Sequence, residues 1–195
     1  MSRKRVAILI SGRGSNMAAL IEAAKAADYP AEIALVLSNV PDAGGLARAS
    51  AEGIATVTVD HRAFGRDREA FDRAMHAELV RHAIDIVCLA GFMRILTPWL
   101  VAQWPHRMIN VHPALLPAYK GLDTHARALA DGATVHGATV HFVVPELDSG
   151  PIILQEEVPV LADDTAETLA SRVLAAEHRI YPAALRMIAT DYKLA

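Results

Sequence analysis

The sequence predicts an α/β protein in which helices cover both faces of a doubly wound, mostly parallel sheet, with an antiparallel element in the C-terminal half. Over residues 1–90, short apolar runs alternate with segments of helical spacing, which is typical of parallel strands joined by helical crossovers. Several runs lack polar alternation, as expected of strands covered on both faces. The chain has 195 residues, 53% of them hydrophobic, which predicts one domain over residues 1–195 and excludes a disordered chain.

Each predicted element follows from its own pattern. The turn-rich stretch at residues 146–151 predicts an antiparallel hairpin between the last two strands. Asp123 is the expected N-cap of one helix, and Asp164 with Glu167 forms the expected capping pattern of the last helix. The predicted strands are residues 6–11, 33–37, 55–59, 84–89, 108–111, 136–144 and 152–160. The predicted helices are residues 16–27, 43–52, 68–82, 123–131 and 164–190.

Composition and charge exclude several classes of protein. A formal net charge of −3 argues against a nucleic-acid-binding protein, which normally presents a basic face. No apolar run reaches the roughly 18 residues of a membrane-spanning helix. The run from Val6 to Ile10 is also too short for a signal peptide. We therefore expect a cytoplasmic protein that does not bind membranes.

The sequence predicts neither a disulfide framework nor a metal site. Its single cysteine, Cys88, lies in an apolar run, where an inert core thiol is expected. His136 and His141 would face opposite sides of one strand, so they do not suit a shared metal ion. Because no other group of His, Asp or Glu has the spacing of metal ligands, we expect no metal.

The loop after the first strand, residues 11–16, combines two glycines with the start of a helix. Ligands of parallel sheets bind outside the carboxyl ends of the strands, and a glycine loop at a helix N-terminus lets backbone N–H groups approach an anion. The loop lacks the signatures of a P-loop and of a dinucleotide fingerprint, so a phosphate monoester fits it better than a pyrophosphate. A tight glycine turn with Ser15 or Asn16 as the helix cap explains the loop equally well.

Two later segments suggest a second ligand and a reaction. Residues 91–96 follow the fourth strand and are unusually apolar for a loop, which fits either a slot for a flat apolar ligand or a loop packed on the core. Asn110 and His112 lie two apart on a strand and therefore share a face. Together they could donate hydrogen bonds to an oxyanion formed in acyl transfer. An ordinary hydrogen-bonded turn pair explains the Asn-x-His pattern more often.

Further residues could complete such a site if the fold brings them near. Asp148 would favour a charged His112 and move a proton, although Asp-Ser-Gly is also ordinary turn chemistry. Thr139 and His141 share a strand face and could reach the site. Glu177 borders the apolar stripe of the last helix, where it either accepts hydrogen bonds from ligand hydroxyls or reaches solvent in a salt bridge.

Seven motifs, in order along nearly the whole chain, resemble those of the phosphoribosylglycinamide formyltransferases, a folate-dependent family of purine synthesis. Each motif alone has moderate specificity, but the ordered set is highly specific. The motifs are ISGRGSN at 10–16, LAGFMRIL at 89–96, NVHPALLP at 110–117, GLDTH at 121–125, HGATVHFV at 136–143, ELDSGP at 146–151 and EHRIYP at 177–182.

The resemblance implies that the chain transfers the formyl group of 10-formyltetrahydrofolate, a co-substrate, to the amine of glycinamide ribonucleotide without a metal. It implies that Asn110 and His112 hold the tetrahedral oxyanion, while Asp148 sets the charge of His112 and helps to move the proton. The implied ribonucleotide-binding residues are Gly14, Ser15, Asn16 and Glu177. The implied folate-binding residues are Arg68, Phe92, Met93, Arg94, Ile95, Leu96, Val143 and Asp148.

The resemblance also implies that the two halves of the chain have different roles. Residues 1–100 are expected to form a nucleotide-binding half, and residues 101–195 to carry most catalytic and folate contacts, in a monomer or weak homodimer. Two positions depart from the family pattern. Leu174 stands where relatives often carry Lys or Gln, and Arg13 stands where a relative can carry Asn. We hypothesise that Arg13 supplies the phosphate charge that Leu174 does not.

Three other functions would use similar features. A formyltetrahydrofolate deformylase uses water as the acceptor and carries an extra N-terminal regulatory domain, which we do not expect because the first strand begins by Val6. A methionyl-tRNA formyltransferase needs an added C-terminal domain and a basic surface, and both length and net charge argue against it. A nucleotide- or folate-binding protein without activity has no need of Asn110, His112 and Asp148 together.

Overall fold

The computed structural model describes residues 3–191, which form one mixed sheet of seven strands with helices on both faces. Residues 1–2 and 192–195 of the expected domain lie outside the described residues. The strands are β1 (Lys4–Ile10), β2 (Ala31–Ser38), β3 (Ala55–Thr58), β4 (Ile86–Leu89), β5 (Met108–His112), β6 (Val135–Phe142) and β7 (Ile152–Pro159). The helices are α1 (Ser15–Ala24), α2 (Gly44–Ala51), α3 (Arg68–Arg81), α4 (Pro98–Gln103), α5 (Thr124–Ala130) and α6 (Ala166–Asp191), and a short 3-10 helix spans His61–Phe64.

The sheet is doubly wound, which confirms the predicted fold class. Its strand order is β3-β2-β1-β4-β5-β6-β7, and the first five strands of the chain pair in parallel. From β1 the chain builds outward through β2 and β3, then returns to place β4 on the other side of β1. Ligands of such sheets bind beside the carboxyl ends of the strands where the order reverses. The ends of β1 and β4 therefore mark the expected ligand site.

The predicted antiparallel element is also present. β6 runs antiparallel to β5, and β7 runs antiparallel to β6. The register places Asn110 opposite His141 and His112 opposite Thr139. Because opposed residues of an antiparallel pair lie on the same face of the sheet, these four side chains are brought together at the end of β5.

The two faces of the sheet are packed into separate cores. Val6, Ile8 and Ile10 pack in the core that contains α1 and α6, while Ala7 and Leu9 pack in the core that contains α3 and α4. All five side chains are fully buried, which explains the uninterrupted apolar run in the sequence. Within residues 3–191, no helix combines the length and the apolar character needed to cross a bilayer.

Tyr181 joins α6 to the two strands that carry the site. Its side chain is fully buried, and its hydroxyl oxygen lies 2.9 Å from the Leu89 carbonyl oxygen and 3.2 Å from the Ile109 carbonyl oxygen. Burial raises the pKa of the Tyr181 hydroxyl far above its ordinary value, so the group remains a donor. Cys88 lies in the same core and is a free, buried thiol, as expected.

The helix α4 has no counterpart among the predicted elements. Its start signals are present, because the Thr97 hydroxyl accepts a hydrogen bond from the Leu100 N–H at 3.4 Å and Pro98 occupies the first turn. At 6 residues, however, the helix is too short to show a periodic apolar pattern.

One predicted helix cap is wrong, and the other has the predicted position but makes no capping hydrogen bond. At α6, Thr165 and Thr168 each accept the backbone N–H of the other at 3.3 and 2.9 Å, whereas Asp164 forms an ion pair with Arg172 at 2.6 Å. The Arg172 guanidinium is a stronger partner for the Asp164 carboxylate than the backbone N–H groups at the start of α6. At α5, Asp123 occupies the cap position with a φ of 56°, and its side chain accepts no hydrogen bond from the helix.

Candidate active site

A cleft of about 600 Å³ opens beside the carboxyl ends of β4 and β5. It is lined by Asn110 and His112, by residues 91–96, and by residues 121–125 and 143–148. Clefts of this size hold small-molecule ligands in other proteins. The cleft therefore lies beside β4, one of the two strands at which the strand order reverses, and it contains both of the predicted oxyanion donors.

Asp148 lies beside His112, as the proposed proton transfer requires. Asp148 Oδ2 is 3.4 Å from His112 Nδ1, and the two side chains are only 8% and 6% exposed. On the other side of the ring, His112 Nε2 lies 2.8 Å from the Tyr119 carbonyl oxygen. Each ring nitrogen of His112 therefore faces an acceptor oxygen.

The turn that carries Asp148 points its carboxylate towards the neighbouring loop. Asp148 has a φ of 48°, in the left-handed region that Asp tolerates better than most residues. Its Oδ2 atom accepts the Gly121 N–H at 2.9 Å, and nearby the Lys120 ammonium donates to the Ser149 hydroxyl at 2.7 Å. Ordinary turn chemistry thus serves to place a buried carboxylate against His112.

His141 lies between Asn110 and Asp148. Asn110 Nδ2 lies 3.3 Å from His141 Nε2, which in turn lies 3.8 Å from Asp148 Oδ1. His141 Nδ1 lies 2.9 Å from the Phe142 carbonyl oxygen, an arrangement that assigns the ring hydrogen to Nδ1 and leaves Nε2 as an acceptor. Burial lowers the pKa of His141, against the opposing effects of the Phe142 carbonyl and the Asp148 carboxylate.

The sequence predicts that both His141 and Thr139 can reach the site, but it does not separate their roles. The Thr139 hydroxyl donates to the Ala114 carbonyl oxygen at 2.6 Å and accepts the Leu116 N–H at 3.0 Å. Thr139 therefore holds the backbone that follows His112. His141 contacts Asn110 directly. The feature that identifies it is the register of β5 with β6, which places the two residues opposite each other.

The loop of residues 91–96 is partly exposed at the cleft and partly packed on the core, so both alternatives that its sequence allows apply. Met93 and Ile95 are 70% and 63% exposed, whereas Leu96 is buried in the core. Arg68 does not line the cleft; its guanidinium donates to the Ile95 carbonyl oxygen at 2.7 Å. The expected folate residues that do line the cleft are Phe92, Met93, Arg94, Ile95, Leu96, Val143 and Asp148.

The expected ribonucleotide residues lie together in a second cluster, outside the cleft lining. Gly14, with a φ of 70°, occupies the cap position of α1, and no side chain caps the helix. Ser15 is the first helical residue, so the alternative in which Ser15 or Asn16 caps the helix is wrong. The N–H groups of the first turn thus keep their capacity to bind an anion.

Asn16 and Glu177 form a buried polar pair that joins α1 to α6. Asn16 Nδ2 donates to Glu177 Oε2 at 2.6 Å, and the two residues are 9% and 6% exposed. Burial raises the pKa of Glu177, and the hydrogen bond from Asn16 partly opposes it. Glu177 is therefore not a solvent-facing carboxylate in a salt bridge. Arg13 is exposed in the same loop as Asn16.

Further histidines lie near His112 without forming a metal site. His125 lines the cleft, and its ring centroid is 5.2 Å from that of His136. Burial, with a contribution from His125, lowers the pKa of His136 to about 4. Among residues 3–191, no three His, Cys, Asp or Glu side chains are grouped so that they could hold a metal ion.

Several known proteins are similar to this chain. Residues 4–185 match the formyl transferase family. A phosphoribosylglycinamide formyltransferase of Escherichia coli (strain K12) is 49% identical over 177 residues, which cover 91% of this chain and 83% of that protein. The human trifunctional purine biosynthetic protein adenosine-3 is 48% identical over 188 residues, covering 96% of this chain and 18% of that protein.

The lengths of the matched relatives and the similarity to solved structures show to which members of the family this chain is related. The chain spans less than a fifth of the trifunctional relatives it matches. A crystal structure of phosphoribosylglycinamide formyltransferase from Brucella melitensis superimposes with a TM-score of 0.93 at 51% identity, covering 100% of both chains. One from Symbiobacterium toebii, a glycinamide ribonucleotide transformylase, has a TM-score of 0.93 at 44% identity, covering 96% of this chain and 88% of the other. The chain therefore belongs to the formyl transferase family and, within it, to the phosphoribosylglycinamide formyltransferases.

Proposed function

We propose that this chain transfers the formyl group of 10-formyltetrahydrofolate to the amine of glycinamide ribonucleotide, a step of purine biosynthesis. One observation carries the proposal: Asn110, His112 and Asp148 line one cleft at the carboxyl ends of the strands. An amide, an imidazole and a carboxylate together can support acyl transfer with proton movement. The names of the relatives supply the ribonucleotide and the formyl group, and the resemblance of the motifs supplies the folate.

The proposed reaction forms one bond and breaks one. The amine nitrogen of the ribonucleotide attacks the formyl carbon, and the carbonyl electrons move to oxygen. Collapse of the tetrahedral intermediate restores the carbonyl and breaks the bond from the formyl carbon to folate N10. Overall, the amine loses one proton and N10 gains one, so the reaction needs a group that accepts and returns a proton.

Asn110 can stabilise the oxyanion without giving up its structural contact. Its Nδ2 atom carries two hydrogens, and among the described residues His141 Nε2 is the partner of one, at 3.3 Å. The second hydrogen is thus free for the developing negative charge. His141 holds the amide in a fixed direction, which is the condition under which such a donor stabilises a transition state.

His112 and Asp148 are the proposed charge and proton pair. With acceptors on both ring nitrogens, His112 can carry a hydrogen on each, which puts a positive charge near the oxyanion. To donate to the oxyanion directly, His112 Nε2 would give up its contact with the Tyr119 carbonyl oxygen. Asp148 is the base that takes the amine proton, directly or through a water, and returns it to N10.

The two substrates are assigned to the two clusters. The phosphate of the ribonucleotide would lie against the backbone N–H groups of Gly14, Ser15 and Asn16, and Glu177 would accept hydrogen bonds from its ribose hydroxyls. The folate would lie against residues 92–96 and Val143. Arg68 would swing from the Ile95 carbonyl to reach the glutamate end of the folate.

This assignment extends to the organisation of the whole chain. We propose one formyltransferase domain over residues 1–195, with residues 1–100 as the nucleotide-binding half and residues 101–195 carrying most catalytic and folate contacts. The chain would act in the cytoplasm on small molecules, as a monomer or weak homodimer. It would bind neither nucleic acid nor membranes, and it would need no metal.

One assay separates this function from its alternatives. The release of tetrahydrofolate from 10-formyltetrahydrofolate is followed by absorbance, with and without glycinamide ribonucleotide. Turnover only with the ribonucleotide supports the transferase. Turnover without it indicates a deformylase, and an absence of turnover under both conditions indicates a binding protein. Formylation of methionyl-tRNA in a parallel reaction would indicate the tRNA-dependent enzyme.

A further inference from the structure

Ser11 joins the two loops that the proposed function assigns to different substrates. Its backbone N–H donates to the Gly91 carbonyl oxygen at 3.2 Å. Its hydroxyl oxygen accepts the Met93 N–H at 2.8 Å. Both partners belong to the 91–96 loop of the cleft, whereas Ser11 belongs to the loop that leads to Gly14. One residue therefore makes two hydrogen bonds from the nucleotide loop to the folate loop.

Asn39 fixes the direction of the Ser11 hydroxyl. Ser11 Oγ donates to Asn39 Oδ1 at 2.6 Å, and because a hydroxyl has one hydrogen, its lone pairs remain to accept the Met93 N–H. Asn39 is only 2% exposed, and His61 Nδ1 lies 2.9 Å from its carbonyl oxygen. The Ser11 contact is thus held by buried Asn39, which follows β2, and Asn39 is held in turn by half-buried His61, which follows β3.

The 91–96 loop depends on such an anchor because it leaves the sheet at once. β4 ends at Leu89, and Gly91 turns the chain with a φ of 71°, a conformation that favours glycine. Met93 is 70% exposed, so its side chain contributes little packing. The Met93 backbone is therefore placed by the Ser11 hydroxyl rather than by burial of its own side chain.

We propose that Ser11 is a positioning residue that couples the two substrate subsites. A phosphate bound at the start of α1 orders the loop that contains Ser11, and Ser11 in turn orders the folate loop through Met93. Each ligand therefore raises the affinity of the other by the same factor, as thermodynamic linkage requires. This inference rests on the proposed function, which assigns one substrate to each loop.

The test measures coupling in a complex that cannot react. Calorimetry gives the affinity of tetrahydrofolate, which has no formyl group to transfer, with and without saturating glycinamide ribonucleotide. The wild-type chain is expected to bind tetrahydrofolate more tightly when the ribonucleotide is present. Ser11→Ala is expected to reduce this gain about fivefold to tenfold, as for one lost hydrogen bond, with the affinity for the ribonucleotide alone unchanged. Ser11→Thr keeps the hydroxyl and is expected to retain the coupling.

Ser171→Ala is the control. Ser171 is exposed on α6, outside the cleft lining, and its hydroxyl donates to the Glu167 carbonyl oxygen at 3.0 Å. The variant removes a serine hydroxyl without touching the 91–96 loop, Ser11 or Asn39, so its coupling should equal that of the wild-type chain.

A second readout does not depend on the folate. Addition of inorganic phosphate should slow hydrogen–deuterium exchange of the Met93 amide in the wild-type chain. The same addition should leave that exchange unchanged in Ser11→Ala and in Asn39→Ala, which loses the group that directs the hydroxyl.

The outcomes separate this inference from the function on which it rests. A wild-type chain that binds neither tetrahydrofolate nor the ribonucleotide overturns both. A wild-type chain that binds both ligands independently overturns the coupling alone. Equal coupling in the wild-type chain, Ser171→Ala and Ser11→Ala also overturns the role of Ser11 while leaving formyl transfer intact.

Discussion

The proposed catalytic cleft and the proposed nucleotide cluster both lie at the carboxyl edge of one sheet, but they are built from different groups. In the cleft, the pairing of β5 with β6 places His141 beside Asn110, and a turn brings Asp148 to His112. At the nucleotide cluster, an uncapped helix start offers backbone N–H groups, and one buried pair ties α1 to α6. Side chains in the cleft can move protons, whereas backbone N–H groups bind charge without changing it. We therefore expect substitutions in the cleft to lower kcat and substitutions in the cluster to raise KM.

The largest effect is expected for His112→Ala. Loss of one group that stabilises an oxyanion typically costs on the order of 10² to 10³ in rate, so kcat should fall by that factor. The KM for the ribonucleotide should change little, because its contacts lie in the other cluster. Steady-state kinetics tests this split, with His106→Ala as a control at an exposed histidine outside the cleft lining. A loss of less than about threefold would leave His112 a structural role only.

Asp148→Asn should produce the next largest effect. The amide keeps an oxygen to accept the Gly121 N–H, but it removes the charge beside His112 and the proposed base. Loss of a general base typically costs about 10² or more in rate, and the acid limb of the kcat profile should move. An unaltered profile of kcat against pH removes the proton role of Asp148, whatever the size of the loss.

Glu177→Gln tests the nucleotide cluster, the second of the two regions compared. The amide preserves shape and can keep a contact with Asn16, but it weakens acceptance of hydrogen bonds from ribose hydroxyls. Since hydrogen bonds to charged groups contribute roughly 1.5 to 3 kcal/mol, the KM for the ribonucleotide should rise about tenfold or more, with kcat nearly constant. A fall in kcat at unchanged KM would mean that the two regions do not divide binding from chemistry.

Arg13→Ala should also raise the KM for the ribonucleotide, but by a smaller factor. An exposed cation contributes little, so the KM for the ribonucleotide should rise by roughly twofold to fivefold at low salt and less at high salt. Leu174→Lys in the Arg13→Ala background should restore the lower KM. Arg81→Ala, at the far end of α3, is the control for general loss of positive charge. An unchanged KM in Arg13→Ala refutes the compensation hypothesis.

A separate effect, on stability rather than on activity, concerns a histidine beneath the cleft. The pKa of His136 is lowered from 6.5 to about 4 in the folded chain, so between these values the unfolded chain binds a proton that the folded chain does not. The free energy of unfolding should therefore decrease as the pH falls from 6.5 towards 4, while His136 should have no effect above 6.5. Urea unfolding at several pH values should give a flatter profile for His136→Gln. A profile as steep as that of the wild-type chain would assign the slope to other groups.

Most of the fold could be predicted because burial imposes a simple pattern. β1 is covered on both faces and reads as an uninterrupted apolar run, and α3 shows helical spacing. The failures are local: α4 is too short for periodicity, and Asp164 binds Arg172 instead of capping α6. Helix ends depend on which partner a polar side chain finds, and the spacing of residues does not show which partner that is.

The candidate site was less accessible to prediction for the same reason. The shared face of Asn110 and His112 follows from strand geometry alone. The approach of Asp148, and the burial of Glu177 against Asn16 across 161 residues, do not follow from spacing. For these contacts the sequence offers only the resemblance of motifs, and the geometry comes from the fold.

The most direct test of the central claim is the position of the formyl oxygen in a crystal structure of this chain with a folate analogue and the ribonucleotide bound. We predict that this oxygen lies about 2.7 to 3.1 Å from Asn110 Nδ2, with His112 beside it and Asp148 within one water of the amine. A formyl group held outside the reach of all three side chains would contradict the claim that they perform the transfer.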